Sequence, residues 1–136
     1  MRVDIGAEGT NGRPRLILLT LSGPLDHDTA PRLDQQIDML ISHAHPPPCL
    51  QLDVTAVTLA TQQAAHSFAV LLRHQREHRI THLFVTGLHG PLLRILDRAG
   101  LRDSLDERTY RQAVRHLSAH SDRQPPAEDP PSDALS

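Results

Sequence analysis

Between Arg15 and Leu21 the chain carries Leu-Ile-Leu-Leu-Thr-Leu, an apolar run that scarcely alternates. Such a run is the pattern of a strand covered on both faces, and this one is expected to be the central strand of a sheet. Upstream, Arg2 to Ile5 alternates polar with apolar, and Gly6 to Pro14 is rich in turn formers around Asn11-Gly12, a strong hairpin signal. Downstream the run breaks at Gly23-Pro24. Asp28 or Thr29 then caps a helix whose first turn contains Pro31, where a missing N–H costs nothing. Leu33, Ile37, Leu40 and Ile41 recur at helical spacing, with Arg32, Asp34, Gln35 and Asp38 on the other side. The helix must stop before Pro46-Pro47-Pro48.

The second half repeats this alternation of periods. Cys49 to Asp53 alternates as a short strand, continued by residues 54–60 as a loop or a strand extension. Thr61 is an N-cap candidate for a long helix with Ala65, Phe68, Ala69 and Leu72 as its buried stripe and Arg73, Arg76 and Glu77 in solvent. His82 to Thr86 reads as another strand, and Gly87 to Gly90 as a turn. Pro91 opens a helix carrying Leu92, Ile95, Leu96 and Ala99 inward, with Gly100 as its stop. A last helix is expected from about Asp106, with Tyr110, Ala113, Val114 and Leu117 on one face.

Strands alternating with helices after an opening hairpin predict an α/β fold: a mixed, mainly parallel sheet of four to five strands covered by about four helices. The sheet domain spans residues 1–118, with no internal repeat. From Ala119 the composition shifts to four prolines and four acids against Arg123 alone, giving this tail a charge of −3 against +1 for the rest. Such a stretch buries too little to offset its ordering entropy, and a disordered tail is expected over residues 119–136.

Composition then removes whole classes of function. Only 2% of the 136 residues are aromatic and the formal net charge is −2, so neither base stacking nor phosphate-backbone binding has its side chains, and nucleic acid is not an expected partner. All 14 basic residues are Arg, which excludes a P-loop lysine and a Schiff base. No stretch approaches the roughly 18–20 apolar residues of a membrane span, and a cytoplasmic protein is expected. Cys49, the single cysteine, reads as a small apolar filler of a buried strand. His74 and His78 stand four apart on the second long helix, but Gln75, Arg76 and Glu77 between them do not make His-Glu-x-x-His, and nearby arginines repel a cation. Their expected setting is a solvated face. His43 and His45 lack a third ligand, so no metal and no other cofactor is expected.

Three strings, in the right order between about Val3 and Leu117, resemble the STAS domain of bacterial anti-sigma factor antagonists, also called anti-anti-sigma factors. They are Leu21-Ser22-Gly23-Pro24-Leu25-Asp26 with the helix start Thr29-Ala30-Pro31-Arg32-Leu33, then the strand and loop from Leu52 to Leu59, then Gly90 to Leu101 ending in Gly-Leu. The resemblance implies a protein that binds a partner anti-sigma factor, a histidine-kinase-like serine kinase, and thereby regulates transcription. It also implies a docking face made of Asp26, His27 and Asp28 together with Thr61, Gln62, Gln63 and Ala64.

Phosphorylatable members of that family follow the strand with Asp-Ser-Ser-Gly, whose second serine takes the phosphate. Ungapped threading sets Thr61-Gln62-Gln63-Ala64 there, so Gln63 occupies the acceptor position. An amide cannot accept a phosphoryl group as a hydroxyl does, and Gln63 adds none of the charge of about −1.5 to −2 that a phosphoserine carries. The usual switch should therefore be absent. Ser67 becomes the acceptor only if a gap enters the loop. Thr61 and Ser67 otherwise read as a helix cap and a helix-face serine, and Asp26 as either a docking acid or a turn cap. Two other readings stand beside this one: a STAS subunit or scaffold of another signalling or transport complex, and a small-ligand or nucleotide-binding α/β protein. The second lacks a Gly-rich phosphate loop and any His, Cys and acid constellation, so an enzyme is not expected.

Overall fold

The alternation that opens the chain pairs with the apolar run that follows it. A computed structural model describes residues 2–10, 13–44, 47–109 and 111–116. In it β1 (Arg2–Thr10) lies antiparallel to β2 (Arg13–Leu25), with Ile5 opposite Leu19 and Thr10 opposite Arg13. The first strand thus runs five residues past the expected end at Ile5. Cross-strand pairing overrides the weak strand propensity of Gly6 to Thr10, and the Asn11-Gly12 signal lies outside the described residues.

The expected break at Gly23-Pro24 is a bulge instead. β2 continues to Leu25, with register shifts against its parallel neighbour at Thr20/Ser22 and Gly23/Pro24, and Gly23 takes φ 94°. Pairing with β1 ends at Ser22, so Pro24 sits where its missing N–H leaves no gap in that ladder. α1 (Ala30–His43) buries Leu33 and Ile37 and half-buries Leu40 and Ile41, as its spacing predicts. β3 (Cys49–Ala60) takes residues 54–60 as strand, and α2 (Gln62–Arg76) follows at once. Its stripe is Ala64, Ala65, Phe68, Leu71 and Leu72. Ala69, expected inside, is exposed, because one residue beyond Phe68 turns the helix by roughly 100°.

β4 (His82–Thr86) and α3 (Gly90–Arg98) match their patterns, except that Ala99 is exposed. Gly100 at φ 71° turns the chain out of α3. The helix expected from Asp106 does not start there. Asp106–Glu107 is a short strand, β5, parallel to β4, and the helical segment covers residues 111–116. Asp106 is held in the strand by His82 Nε2 at 2.8 Å and by Arg108 Nε at 2.8 Å. Tyr110, Leu117 and the tail expected from Ala119 lie outside the described residues.

The sheet has the order β1-β2-β3-β4-β5, antiparallel at its first pair and parallel elsewhere. β3, rather than β2, is therefore the central strand. Ile17, Leu19 and Leu21 of β2, Leu50 and Leu52 of β3, and Leu83 and Val85 of β4 form one core with the buried faces of α1, α2 and α3. Each fully buried Leu or Phe in it stabilises the fold by about 1.5–3 kcal/mol relative to exposure. On the opposite face Leu16, Cys49 and Phe84 pack under Ala113. Cys49 is the apolar filler expected of it, and burial pushes its thiol up. Among the described residues no helix is long and apolar enough to cross a membrane.

Candidate functional site

Parallel pairing of β2 with β3 decides where the predicted residues meet. Pro24 lies opposite Leu59 and Leu25 opposite Ala60, so both strands end side by side. The Thr61 N–H then donates to the Leu25 carbonyl at 3.1 Å and ties the start of α2 to the turn that follows β2. The two patches chosen from sequence, 26–28 and 61–64, thus adjoin at one edge of the molecule.

The turn is organised by its acid. Asp26 Oδ1 accepts from the Asp28 N–H at 3.0 Å and the Thr29 N–H at 3.1 Å. The Thr29 hydroxyl accepts from the Asp26 N–H at 2.9 Å and lies 2.9 Å from the Pro24 carbonyl and 3.2 Å from Asp26 Oδ1. Thr29 holds the N-cap position of α1 but makes no side-chain cap bond to the helix. Its hydroxyl is spent on the turn instead. Desolvation pushes the Asp26 carboxyl up, but the Asp28 and Thr29 amides, the Thr29 hydroxyl and nearby His27 outweigh it and hold it below its ordinary value. His27 and Asp28 are exposed and 3.5 Å apart.

Asp26, His27 and Asp28 bring one ligand atom each within 4.8 Å of the others. That spacing admits a cation, yet hydrogen bonding to the turn already accounts for Asp26.

At the start of α2, Gln62 and Gln63 are exposed, and the first turn contains no acid. The Thr61 hydroxyl is buried without a hydrogen-bond partner, and Ala64 is fully buried. Ser67 is fully buried as well, so its hydroxyl is closed to a kinase in this fold. Of the two histidines considered as a pair, His78 lies past the end of α2 at φ 63°, and His74 is buried against α1 rather than solvated. The two do not share a helix face.

Leu59, half-exposed at 50% two residues before Thr61, escaped sequence reasoning. Leu50, Leu52 and Val54 enter the main core at a spacing of two, and the period then shifts, with Thr55 and Ala56 both exposed and Val57 buried. No residue type in the string marks that shift. His89 also escaped: its Nε2 lies 2.9 Å from the Thr55 carbonyl at the same end of the sheet.

A family model described as the STAS domain matches residues 9–116. Among solved structures, the anti-sigma factor antagonist SpoIIAA in its unphosphorylated form matches with a TM-score of 0.67 at 11% identity, covering 85% of this chain and 97% of that one. An anti-sigma factor antagonist from Mycobacterium paratuberculosis gives 0.63 at 21% identity over 86% and 95%. A sulfate transporter family protein from Wolinella succinogenes gives 0.62 at 15% identity over 79% and 88%. At these identities the likeness shows the fold. No curated protein matches the sequence.

Proposed function

The chain belongs to the STAS domain family, and from that premise we propose that it is an anti-sigma factor antagonist. In this reading it binds a partner anti-sigma factor of the histidine-kinase-like type in the cytoplasm and regulates transcription by releasing the sigma factor. The docking face comprises Asp26, His27, Asp28, Gln62 and Gln63, with Thr61 and Ala64 beneath it as its frame. Leu59 supplies an exposed apolar anchor of the kind that carries binding energy when a rim of polar contacts excludes water.

The observation that carries this reading is the junction of the Asp26 turn with the mouth of α2. A helix start presents free N–H groups and the positive end of the dipole, so phosphate placed there is stable and reverses the local charge. Gln63 holds that place with a neutral amide. The two hydroxyls that flank it in the helix, on Thr61 and Ser67, are both buried. The face therefore remains in its unphosphorylated state and works by binding alone, over an area of about 1,200–2,000 Å² for a specific complex.

The test is capture of partners from the native cell, followed by titration of the purified pair. We expect a histidine-kinase-like anti-sigma protein to be recovered, and Asp28→Arg and Leu59→Arg to abolish binding while leaving the melting temperature in place. Incubation with that kinase and ATP should add no phosphate, a gain of roughly 80 Da, to the wild-type chain. Phosphate on Thr61 or Ser67, or undiminished binding by both variants, sinks the reading. The Wolinella succinogenes likeness supports one other outcome, capture of a transport complex by a STAS subunit.

A further inference from the structure

β3 outruns its neighbour. Its pairing with β4 ends at Asp53 opposite Thr86, where Gly87 at φ 81° turns the chain away toward α3, yet β3 continues to Ala60. Along residues 54–60 no strand pairs with that side among the described residues. At Thr55 two side chains take over from the missing strand. Asp53 Oδ1 accepts the Thr55 N–H at 3.0 Å, and His89 Nε2 donates to the Thr55 carbonyl at 2.9 Å. A carbonyl only accepts, so Nε2 carries the proton. Gly87 comes so close that a Cβ on it would strike Thr55 Oγ1 and Cα, and the loop before α3 therefore meets Thr55 at two points.

Thr55 lies in a bulge. Between the register pairs Thr20–Asp53 and Ser22–Ala56, Val54 and Thr55 together face Leu21, and Thr58 is a second extra residue between Val57 and Leu59. Each extra residue reverses which side chains face the core. After Leu50, Leu52 and Val54, the first bulge moves the next inward position from Ala56 to Val57, and the second moves the one after it from Leu59 to Ala60. Undoing the first alone would turn Leu59 into the core and Ala60 out of it. The first bulge thus sets the phase for Leu59 and for Ala60, whose successor Thr61 bonds to the Leu25 carbonyl at the start of α2.

We propose that His89 is a positioning residue for the docking face: its bond to the Thr55 carbonyl holds the first bulge of β3, and with it the outward aim of Leu59 and the seating of Thr61. What those residues then bind rests on the docking reading above. The rest of its setting gives the His89 side chain no competing duty. It stands at the N-cap of α3 without a side-chain cap bond, and its ring is exposed, so its removal opens no cavity. Water competes for a bond at the surface, which keeps the net effect modest.

Amide hydrogen exchange on the full chain tests this without a partner. In His89→Ala the amides from Ala56 to Thr61 should exchange about threefold to tenfold faster, the loss expected of one hydrogen bond, while those of Leu83 to Val85 and the melting temperature stay in place. His89→Gln, whose Nε2 stands as many bonds from Cα as the imidazole Nε2, should restore the wild-type rates. With the captured anti-sigma protein, calorimetry should show His89→Ala binding about fivefold more weakly and His89→Gln as tightly as wild type. Unchanged exchange from Ala56 to Thr61 in His89→Ala overturns the proposal. So does faster exchange that His89→Gln fails to reverse, or that leaves affinity intact. Failure to capture any anti-sigma protein counts against the docking reading instead, and the exchange rates still decide whether His89 holds the bulge.

Discussion

Asp26 and Thr29 hold each other through four atoms: the Asp26 N–H donates to Thr29 Oγ1 at 2.9 Å, and the Thr29 N–H donates back to Asp26 Oδ1 at 3.1 Å. The carboxylate form is the better acceptor, which is why the carboxyl sits below its ordinary 3.8 in the fold. A group with a depressed folded value adds stability in full above its unfolded value, and loses it as pH falls through the folded one. Asp26→Ala should therefore melt at a lower temperature than wild type at neutral pH, and the gap should begin to narrow near pH 3.8 and close only once pH has fallen through the lower folded value. Thermal melts at a series of pH values read this directly. A gap that persists unchanged into strong acid contradicts the assignment.

Gly87 cannot be replaced cheaply. It adopts φ 81°, and a Cβ there would lie 2.0 Å from Thr55 Oγ1 and 2.9 Å from the Thr55 Cα. Gly87→Ala should cost about 1–3 kcal/mol from the backbone conformation alone, plus the clash. Because the Thr55 main chain is part of the clash, trimming that side chain as Thr55→Ala should recover only part of the loss. Urea midpoints that shift at constant m measure both effects.

The partner-docking reading has a constructive test at Gln63. Its side chain is exposed near the start of α2, so Gln63→Ser restores a hydroxyl at the acceptor position without disturbing packing. Incubated with the captured kinase and ATP, this variant should gain roughly 80 Da and lose affinity for the partner, whereas wild type does neither. Mass spectrometry and calorimetry check the two halves separately. Phosphate-free Gln63→Ser, with a kinase that is active on another substrate, contradicts the placement of Gln63.

The helices and the parallel sheet were legible because their signals are local. Leu33 and Ile37, and Leu92 and Leu96, mark their own burial by helical period, and β2 marks its burial by an apolar run. Errors fell where a distant strand decides the outcome. Gly6 to Thr10 are strand only because β2 lies alongside, Asp106 is strand because His82 and Arg108 hold it, and Leu59 faces outward after shifts whose cause is the bulged pairing with β2. For the candidate site, a short motif points to Asp26 and Gln63, and the pairing of β2 with β3 brings their segments together. Burial of the Thr61 and Ser67 hydroxyls, which bears on the proposed lack of a switch, has no signature in residue order.

His74 presents the sharpest conflict between packing and polarity. It is 5% exposed on α2, and neither ring nitrogen has a hydrogen-bond partner. The nearest acid is Asp38 of α1, whose Oδ1 lies 3.6 Å from Nε2, beyond hydrogen-bond length, on a side chain 68% exposed. Two explanations of its presence make opposite forecasts. If attraction to Asp38 dominates, His74→Leu and Asp38→Asn should each destabilise, and by similar amounts. If loss of water from the two ring nitrogens dominates, His74→Leu should stabilise by about 1 kcal/mol, the lower end of the cost of a buried unpaired polar group, while Asp38→Asn changes little. The geometry favours the second, because an acid so largely in water is screened and gains little from a partner 3.6 Å away. A double-mutant cycle in urea decides: coupling near zero with a stabilised His74→Leu is the expected result, and a strongly favourable coupling would overturn it.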